Sequence, residues 1–120
     1  MIIGTGVDIV KIERFSKSAA SPRFLKRVFS INEQEYLSTK GTQSMAGLFA
    51  AKEAVAKALG TGFAGFWPCE IEILHNLNGK PYVVLHGKAK EILSGCFSIQ
   101  ISISHNETDA IAFAVLEKFP

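Results

Sequence analysis

Asp8 is the first of three positions in this sequence whose residue type and surroundings suit phosphate or metal chemistry. It lies among Ile3, Val7, Ile9 and Val10, in a segment with the composition of a strand. Aspartate is depleted in strands, and an unpaired buried carboxylate is costly. Asp8 therefore either points to solvent or caps something at a strand end, or it is a metal ligand on a rigid backbone.

Glu53 and Lys57 form the second position. They are four residues apart, directly after Lys52, so Glu53 and Lys57 share one face of any helix through this segment. This spacing is typical of a surface ion pair. The segment is also rich in small side chains, which would let another element or a ligand approach closely: Ala50, Ala51, Ala54, Ala56 and Ala58. Both interpretations remain open from the residues alone.

His105 is the third position, at the end of an alternating strand and before a polar turn. A lone histidine there is more typical of a turn than of a catalyst, and His75 and His86 lack any supporting context. Lys80, in the turn that begins with Asn78-Gly79, could contact an anion. None of the usual phosphate-loop or hydrolase motifs occurs, and the pair of glycines at 4 and 6 is too short to count as one.

The charge distribution points to a basic surface. Residues 11–30 contain six lysines and arginines against Glu13 alone, while the whole chain carries only +2. Such a segment is either a solvated helix face or a docking surface for an acidic partner. A nucleic-acid partner is not favoured, because no basic stripe with interleaved aromatic residues continues through the rest of the chain.

The composition is that of a small globular protein. The chain has 120 residues, 48% hydrophobic and 20% charged, so we expect one domain over 1–120 and neither a disordered chain nor a membrane protein. Cys69 and Cys96 lack metal-ligand spacing, and the N-terminus lacks a basic leader, which together favour reduced thiols in the cytoplasm. A core this small leaves little room for a deep cleft. An enzyme of this size is therefore expected to share its site between subunits.

The hydrophobic periodicity predicts the elements that must position these side chains. A strand over 2–10 is followed by a short helix over 12–19. A second helix starts at Pro22 with Ser21 as N-cap, and a third covers 31–38 with a Ser30/Glu33 capping box. A long helix over 43–59 ends at Gly60. Strands over 70–75 and 82–86 form a hairpin, a short helix covers 87–94, and strands follow over 97–104 and 110–117. The predicted class is α+β, with one long helix packed on a mainly antiparallel sheet and a helical excursion near the N-terminus.

Together these segments resemble the small bacterial holo-acyl-carrier-protein synthases of the 4′-phosphopantetheinyl transferase family. Three blocks in family order carry the resemblance: Gly4-Thr5-Gly6-Val7-Asp8 running into Ile12-Glu13-Arg14-Phe15, then Phe49-Ala50-Ala51-Lys52-Glu53-Ala54 through Lys57 to Gly62, then Ser102-Ile103-Ser104-His105. Asn78-Gly79-Lys80-Pro81 also fits. The main departure is the segment Phe66-Trp67-Pro68-Cys69-Glu70, where relatives more often have an acidic-hydrophobic strand start.

The resemblance implies a 4′-phosphopantetheinyl transferase-like fold and a reaction. The phosphopantetheine group of coenzyme A would pass to a serine of apo-acyl carrier protein, releasing adenosine 3′,5′-bisphosphate. Asp8 and Glu53 would hold Mg²⁺, which prefers oxygen ligands. Lys57 would neutralise or protonate the leaving group, and Glu53 is the first choice for the base. Lys80, Pro81, His105 and Lys57 would contact coenzyme A, and His105 would join Glu53 and Lys57 as a catalytic residue.

The resemblance also implies partners. Acidic carrier protein would dock on residues in the basic segment, namely Arg14, Phe15, Arg23, Phe24, Lys26 and Arg27. The expected assembly is a homotrimer with sites at subunit boundaries, and the expected setting is fatty acid biosynthesis in the cytoplasm, without nucleic-acid or membrane partners. The alternative from another class is a non-catalytic module that uses residues 11–30 to hold an acidic protein or nucleic acid.

Overall fold

The chain consists of five strands and five α-helices in the computed structural model, which describes residues 1–18 and 21–120. Two 3₁₀ turns, Ile12–Arg14 and Pro68–Glu70, complete the regular structure. In chain order the elements are β1 Ile2–Lys11, α1 Phe15–Ser18, α2 Pro22–Val28, α3 Ile31–Leu37, α4 Thr42–Leu59, β2 Ile71–His75, β3 Pro81–Leu85, α5 Gly87–Glu91, β4 Phe97–His105 and β5 Asp109–Lys118.

The main sheet has three antiparallel strands in the order β1-β5-β4. Side chains alternate across it, so that Ala110, Ala112, Ala114 and Leu116 of β5 are buried while the residues between them face outward. In the register of this sheet Asp8 pairs with Ala112, and His105 pairs with Ala110. The two predicted site residues therefore lie on the strands that flank β5.

The long helix α4 covers the inner face of this sheet and is buried on almost every side. Its closest approach is to β1, where a Cβ added to Gly4 would lie 2.0 Å from the carbonyl oxygen of Ala58. A Cβ added to Gly6 would lie 1.9 Å from the carbonyl oxygen of Ala54. The small residues of α4 thus accommodate a strand, and the glycine pair in β1 serves packing.

A buried ion pair ties α4 to α3 and to β2. The ammonium of Lys52 donates to the carboxylate of Glu33 at 2.6 Å and to the carbonyl oxygen of Ile71 at 2.5 Å. Glu33 also accepts from the backbone N–H of Ser30 and of Ile73. Both charged side chains are fully buried. Lys52, which the sequence places beside Glu53, therefore belongs to the interior of the protein and not to the surface that presents Glu53.

The predicted fold class is confirmed, with local corrections. The segment 12–19 is a 3₁₀ turn followed by the single turn α1, and residue 19 lies outside the described residues. The strands form two sheets, since β2 and β3 pair only with each other. The helix after β3 ends at Glu91, ahead of Gly95, whose φ of 81° requires glycine. Among the described residues no helix combines the length and hydropathy needed to cross a membrane.

Candidate functional site

Asp8 and Lys57 meet where β1 crosses α4. The ammonium of Lys57 donates to the carbonyl oxygen of Val7 at 2.8 Å and lies 3.3 Å from one carboxylate oxygen of Asp8. The other oxygen of Asp8, Oδ2, is buried and has no hydrogen-bond partner. Burying a carboxylate oxygen without a hydrogen-bond partner costs free energy. A cation bound to this oxygen would offset that cost.

Glu53 lies one helical turn before Lys57 and shares this environment. Burial and the neighbouring charge of Asp8 raise the pKa of the Glu53 carboxyl above its ordinary value, while the charges of Lys57 and Arg14 partly offset that effect. A carboxyl group whose ionisation is disfavoured by burial and by a neighbouring negative charge is suited to binding a cation.

The donor set matches magnesium better than a metal held entirely by protein. No group of three or more histidine, cysteine, aspartate or glutamate side chains suited to a metal occurs in the part of the chain that the structure describes. Mg²⁺ is commonly bound through one or two carboxylates together with waters and substrate phosphates. Asp8 and Glu53 fit that pattern, and the unpartnered oxygen of Asp8 is the structural feature that supports it.

A second group of predicted residues lines a cavity of about 450 Å³. Lys80 and Pro81 enter it from the β2–β3 hairpin, and His105 enters it from the end of β4. The residues of the wall that the sequence did not indicate include Tyr36 and His75, whose rings stack with centroids 4.3 Å apart. Their contact joins α3 to β2 across 39 positions of sequence, so no local pattern could have indicated it.

The predicted catalytic and coenzyme residues therefore fall into two groups within one subunit. Asp8, Glu53 and Lys57 are not among the lining residues of the cavity that Lys80 and His105 enter. A substrate that contacts both groups within one subunit would reach beyond this cavity.

The predicted docking residues are mostly at the surface. Arg14, Arg23, Lys26 and Arg27 are exposed, and Phe24 is partly buried. Phe15 is the exception: only 2% of it is exposed, and it packs against Phe24 and Phe49 in the core. The prediction that Phe15 offers apolar contact to a partner is wrong for this conformation, because its position after the 3₁₀ turn directs the ring inward.

Comparison with known proteins agrees with this architecture. The model of the 4′-phosphopantetheinyl transferase superfamily matches residues 4–114. Holo-(acyl-carrier-protein) synthase of Clostridium kluyveri is 48% identical over 122 residues, covering 98% of this chain and 91% of the relative. That of Clostridium acetobutylicum is 48% identical over 124 residues, covering 99% and 100%.

Solved structures show the same fold. The holo-(acyl-carrier-protein) synthase of Bacillus anthracis in complex with CoA (3′,5′-ADP) is 34% identical, with a TM-score of 0.83 and 99% coverage of both chains. The Helicobacter pylori enzyme in complex with coenzyme A is 33% identical, with a TM-score of 0.84, covering 94% of this chain and 99% of the other.

The family match, together with the α+β fold shared with these solved structures, identifies the class as the phosphopantetheinyl transferases. The chain belongs to the 4′-phosphopantetheinyl transferase superfamily and, within it, to the holo-(acyl-carrier-protein) synthases. It is thus an enzyme, and the alternative of a non-catalytic binding module is set aside. The roles of individual site residues stay predictions.

Proposed function

We propose that this chain transfers the 4′-phosphopantetheine group of coenzyme A to a serine of an apo-acyl carrier protein, with Mg²⁺ held by Asp8 and Glu53. The observation that carries the proposal is the unpartnered, buried oxygen of Asp8 beside Lys57 and Glu53. The coenzyme A bound to the Bacillus anthracis and Helicobacter pylori relatives supports the choice of donor.

In the proposed reaction the serine oxygen of the carrier protein attacks the phosphorus next to the pantetheine arm. The bond from that phosphorus to the bridging oxygen breaks, and its electron pair leaves with adenosine 3′,5′-bisphosphate. Bound Mg²⁺ would supply charge neutralisation on the diphosphate. Glu53, directly or through a water, is the first choice for the group that takes the serine proton. Lys57 is placed to neutralise or protonate the departing oxygen.

The cavity entered by Lys80, Pro81 and His105 is the proposed location for the nucleotide part of coenzyme A. Lys80 and His105 supply hydrogen-bond donors for phosphate oxygens, and Pro81 supplies an apolar surface. Since these residues do not share a cavity with Asp8 and Glu53, coenzyme A would have to span both groups.

A homotrimer would bring such groups from neighbouring subunits together. The outer face of the main sheet supports this assembly, because five large apolar side chains there are between 41% and 64% exposed: Ile3, Val7, Ile9, Ile111 and Phe113. Val7 pairs with Phe113 and Ile9 pairs with Ile111, so the apolar side chains form one continuous patch. A patch of this kind is typical of a protein–protein contact.

The carrier protein is proposed to dock on exposed cations of the basic segment, namely Arg14, Arg23, Lys26 and Arg27, with Phe24 adding apolar contact. Complementary charge of this kind mainly raises the association rate and is weakened by salt. We further propose that the enzyme acts in the cytoplasm in support of fatty acid biosynthesis. The free thiols Cys69 and Cys96 are consistent with that reducing compartment.

The test is a transfer assay followed by the mass of the carrier protein. The wild-type chain with coenzyme A, Mg²⁺ and an apo-carrier protein should add one phosphopantetheine mass. Asp8→Ala and Glu53→Ala should each abolish Mg²⁺-dependent transfer while the protein stays folded, whereas Glu91→Gln, an exposed carboxylate on α5, should retain it. Full activity in either alanine variant would reject the assignment of the metal ligands.

A further inference from the structure

A network of hydrogen bonds fixes the N-terminus of α3 to β2 through the buried carboxylate of Glu72, of which only 5% is exposed. One carboxylate oxygen, Oε2, accepts from the hydroxyl of Ser30 at 2.6 Å and from the side-chain amide of Asn32 at 3.2 Å. The other oxygen, Oε1, lies 2.9 Å from Nε2 of His86, the N-cap residue of α5. Both oxygens of this buried group therefore have partners.

Ser30 connects this network to the helix itself. It is the N-cap residue of α3, and its hydroxyl oxygen accepts from the N–H of Glu33 at 3.1 Å while its proton is donated to Glu72. Glu33 in turn accepts from the backbone N–H of Ile73 on β2 at 2.7 Å. The start of α3 is thus attached to β2 at two points. A single point would let this seven-residue helix pivot, and the second point restricts that motion.

The far end of α3 forms part of the cavity that Lys80 and His105 enter. Tyr36 stacks on His75, at the end of β2, with ring centroids 4.3 Å apart and planes 10° apart, and both rings line the cavity. Ser30 and Tyr36 are separated by about 9 Å of helix. A tilt of α3 at its cap would therefore displace the ring of Tyr36 from that of His75.

Glu72 can act on this cavity only through the elements that it joins. Among the described residues, neither Glu72 nor its partners Ser30, Asn32 and His86 line the cavity. A buried polar network whose members are all satisfied favours one arrangement of the surrounding elements, because other arrangements leave a buried polar atom without a partner. The network thus selects the orientation of α3 on β2, and that orientation places the aromatic wall.

We propose that Glu72 is a positioning residue for coenzyme A. It fixes the start of α3 on β2, and the helix then holds Tyr36 against His75 in the wall of the cavity. This inference rests on the proposed function, because it takes this cavity as the location of the nucleotide part of coenzyme A. The effect is confined to coenzyme A, since the residues proposed for Mg²⁺ and for the carrier protein lie on other elements.

The test measures coenzyme A binding by titration calorimetry and transfer kinetics in variants of Glu72. Glu72→Leu removes both acceptor oxygens and keeps a side chain of similar size. Its dissociation constant and KM for coenzyme A should rise about tenfold, within the range found for residues that act on a ligand through others. The KM for carrier protein and the Mg²⁺ requirement should stay within about twofold of wild type. Glu72→Gln keeps an oxygen that can accept from Ser30 and should recover most of the affinity.

Glu70→Leu is the matched control. Glu70 lies two positions before Glu72, and its carboxylate also accepts hydrogen bonds, from the backbone N–H groups of Trp67, Lys88 and Ala89. These partners belong to the preceding loop and to α5, not to α3. The control should therefore lower the unfolding temperature without changing coenzyme A affinity by more than about twofold.

A double-mutant cycle tests whether the effect passes through the aromatic stack. Tyr36→Ala removes one ring and should itself weaken coenzyme A binding. Adding Glu72→Leu should then weaken it by no more than about a further twofold, because the wall that Glu72 positions is already lost. Ser30→Ala cuts the link from the helix side and leaves the carboxylate with Asn32 and His86. It should also weaken coenzyme A binding, and it decides the question if Glu72→Leu does not fold.

A folded Glu72→Leu enzyme that binds coenzyme A within about twofold of wild type overturns the inference. Effects of Glu72→Leu and Tyr36→Ala that multiply in the double variant overturn it too. An equal loss of affinity in Glu70→Leu, or a parallel rise in both KM values and in the Mg²⁺ requirement, shows a general loss of rigidity and also overturns it.

Those results leave the proposed function intact. A wild-type chain that binds coenzyme A but transfers nothing, with a working positive control, contradicts the proposed reaction, and the binding cycle still decides the role of Glu72. A wild-type chain that binds no coenzyme A contradicts both.

Discussion

Gly6→Ala tests whether the packing of β1 on α4 positions Asp8, the proposed metal ligand. The added Cβ would lie 1.9 Å from the carbonyl oxygen of Ala54, 2.8 Å from its carbonyl carbon and 3.0 Å from the N–H nitrogen of Ala58. All three atoms belong to the backbone of a buried helix, so no side chain can rotate away. Either the strand or the helix has to move.

The size of that movement follows from the contact distance. Ordinary van der Waals contact begins near 3.4 Å, so β1 has to retreat from α4 by about 1.5 Å. Asp8 is two residues further along the same strand and on the same face, and its distance to Glu53 and Lys57 grows accordingly. A misplacement of about 1 Å at a reacting centre costs on the order of 100-fold in rate. Overpacking adds a loss of stability of about 1–3 kcal/mol.

The assay is steady-state transfer to carrier protein at several Mg²⁺ concentrations, with urea unfolding measured in parallel. Gly6→Ala should lower kcat/KM about 100-fold and raise the Mg²⁺ concentration needed for half-maximal activity. Gly41→Ala is the matched control, because a Cβ at Gly41 meets nothing within 4 Å. Gly41 is the N-cap of α4, so its replacement costs some stability without changing the distance between β1 and α4.

A folded Gly6→Ala enzyme that keeps wild-type kcat/KM and Mg²⁺ dependence within about twofold would refute the reasoning. Loss of activity in proportion to loss of folded protein, equally in both glycine variants, would refute it too. In either case the close approach of β1 to α4 would serve stability alone.

Three further predictions concern stability and assembly. Lys52→Met leaves Glu33 buried without its ammonium partner and should cost about 3–5 kcal/mol in urea unfolding, whereas Lys57→Met on the exposed side of α4 should cost about 1 kcal/mol or less. Burial favours protonation of Glu72, but three side-chain hydrogen bonds hold its pKa below the ordinary value. The ionised Glu72 carboxylate therefore stabilises the fold fully above about pH 4.5, and this stabilisation is lost as the pH falls through the lower pKa of the folded state. Glu72→Gln should make the unfolding temperature less sensitive to acid. Phe113→Glu places a charge on the apolar face of the main sheet and should shift the sedimentation of the assembly to that of a monomer; unchanged sedimentation would argue against the proposed trimer contact.

The sequence by itself determined the features that depend on neighbours a few positions apart. The Ser30/Glu33 spacing predicted a capping box that the structure shows, and Gly60 ends α4 with a φ of 85°. Asn78-Gly79 predicted the hairpin of β2 and β3. Capping, left-handed turns and strand alternation arise from local hydrogen bonds and sterics, so short patterns are enough to specify them.

Only the tertiary structure decided which side chains meet across long stretches of chain. Gly4 and Gly6 of β1 are needed because the backbone of α4, about 50 residues away in sequence, lies directly against them. Lys52 can be buried because it pairs with Glu33 on another helix. The same holds for the inward ring of Phe15. Such contacts depend on how the elements cross in space, and a pattern that spans a few residues carries no information about that crossing. The residues proposed for the chemistry could be selected from the sequence, but their division between the β1–α4 crossing and the cavity is a property of the fold.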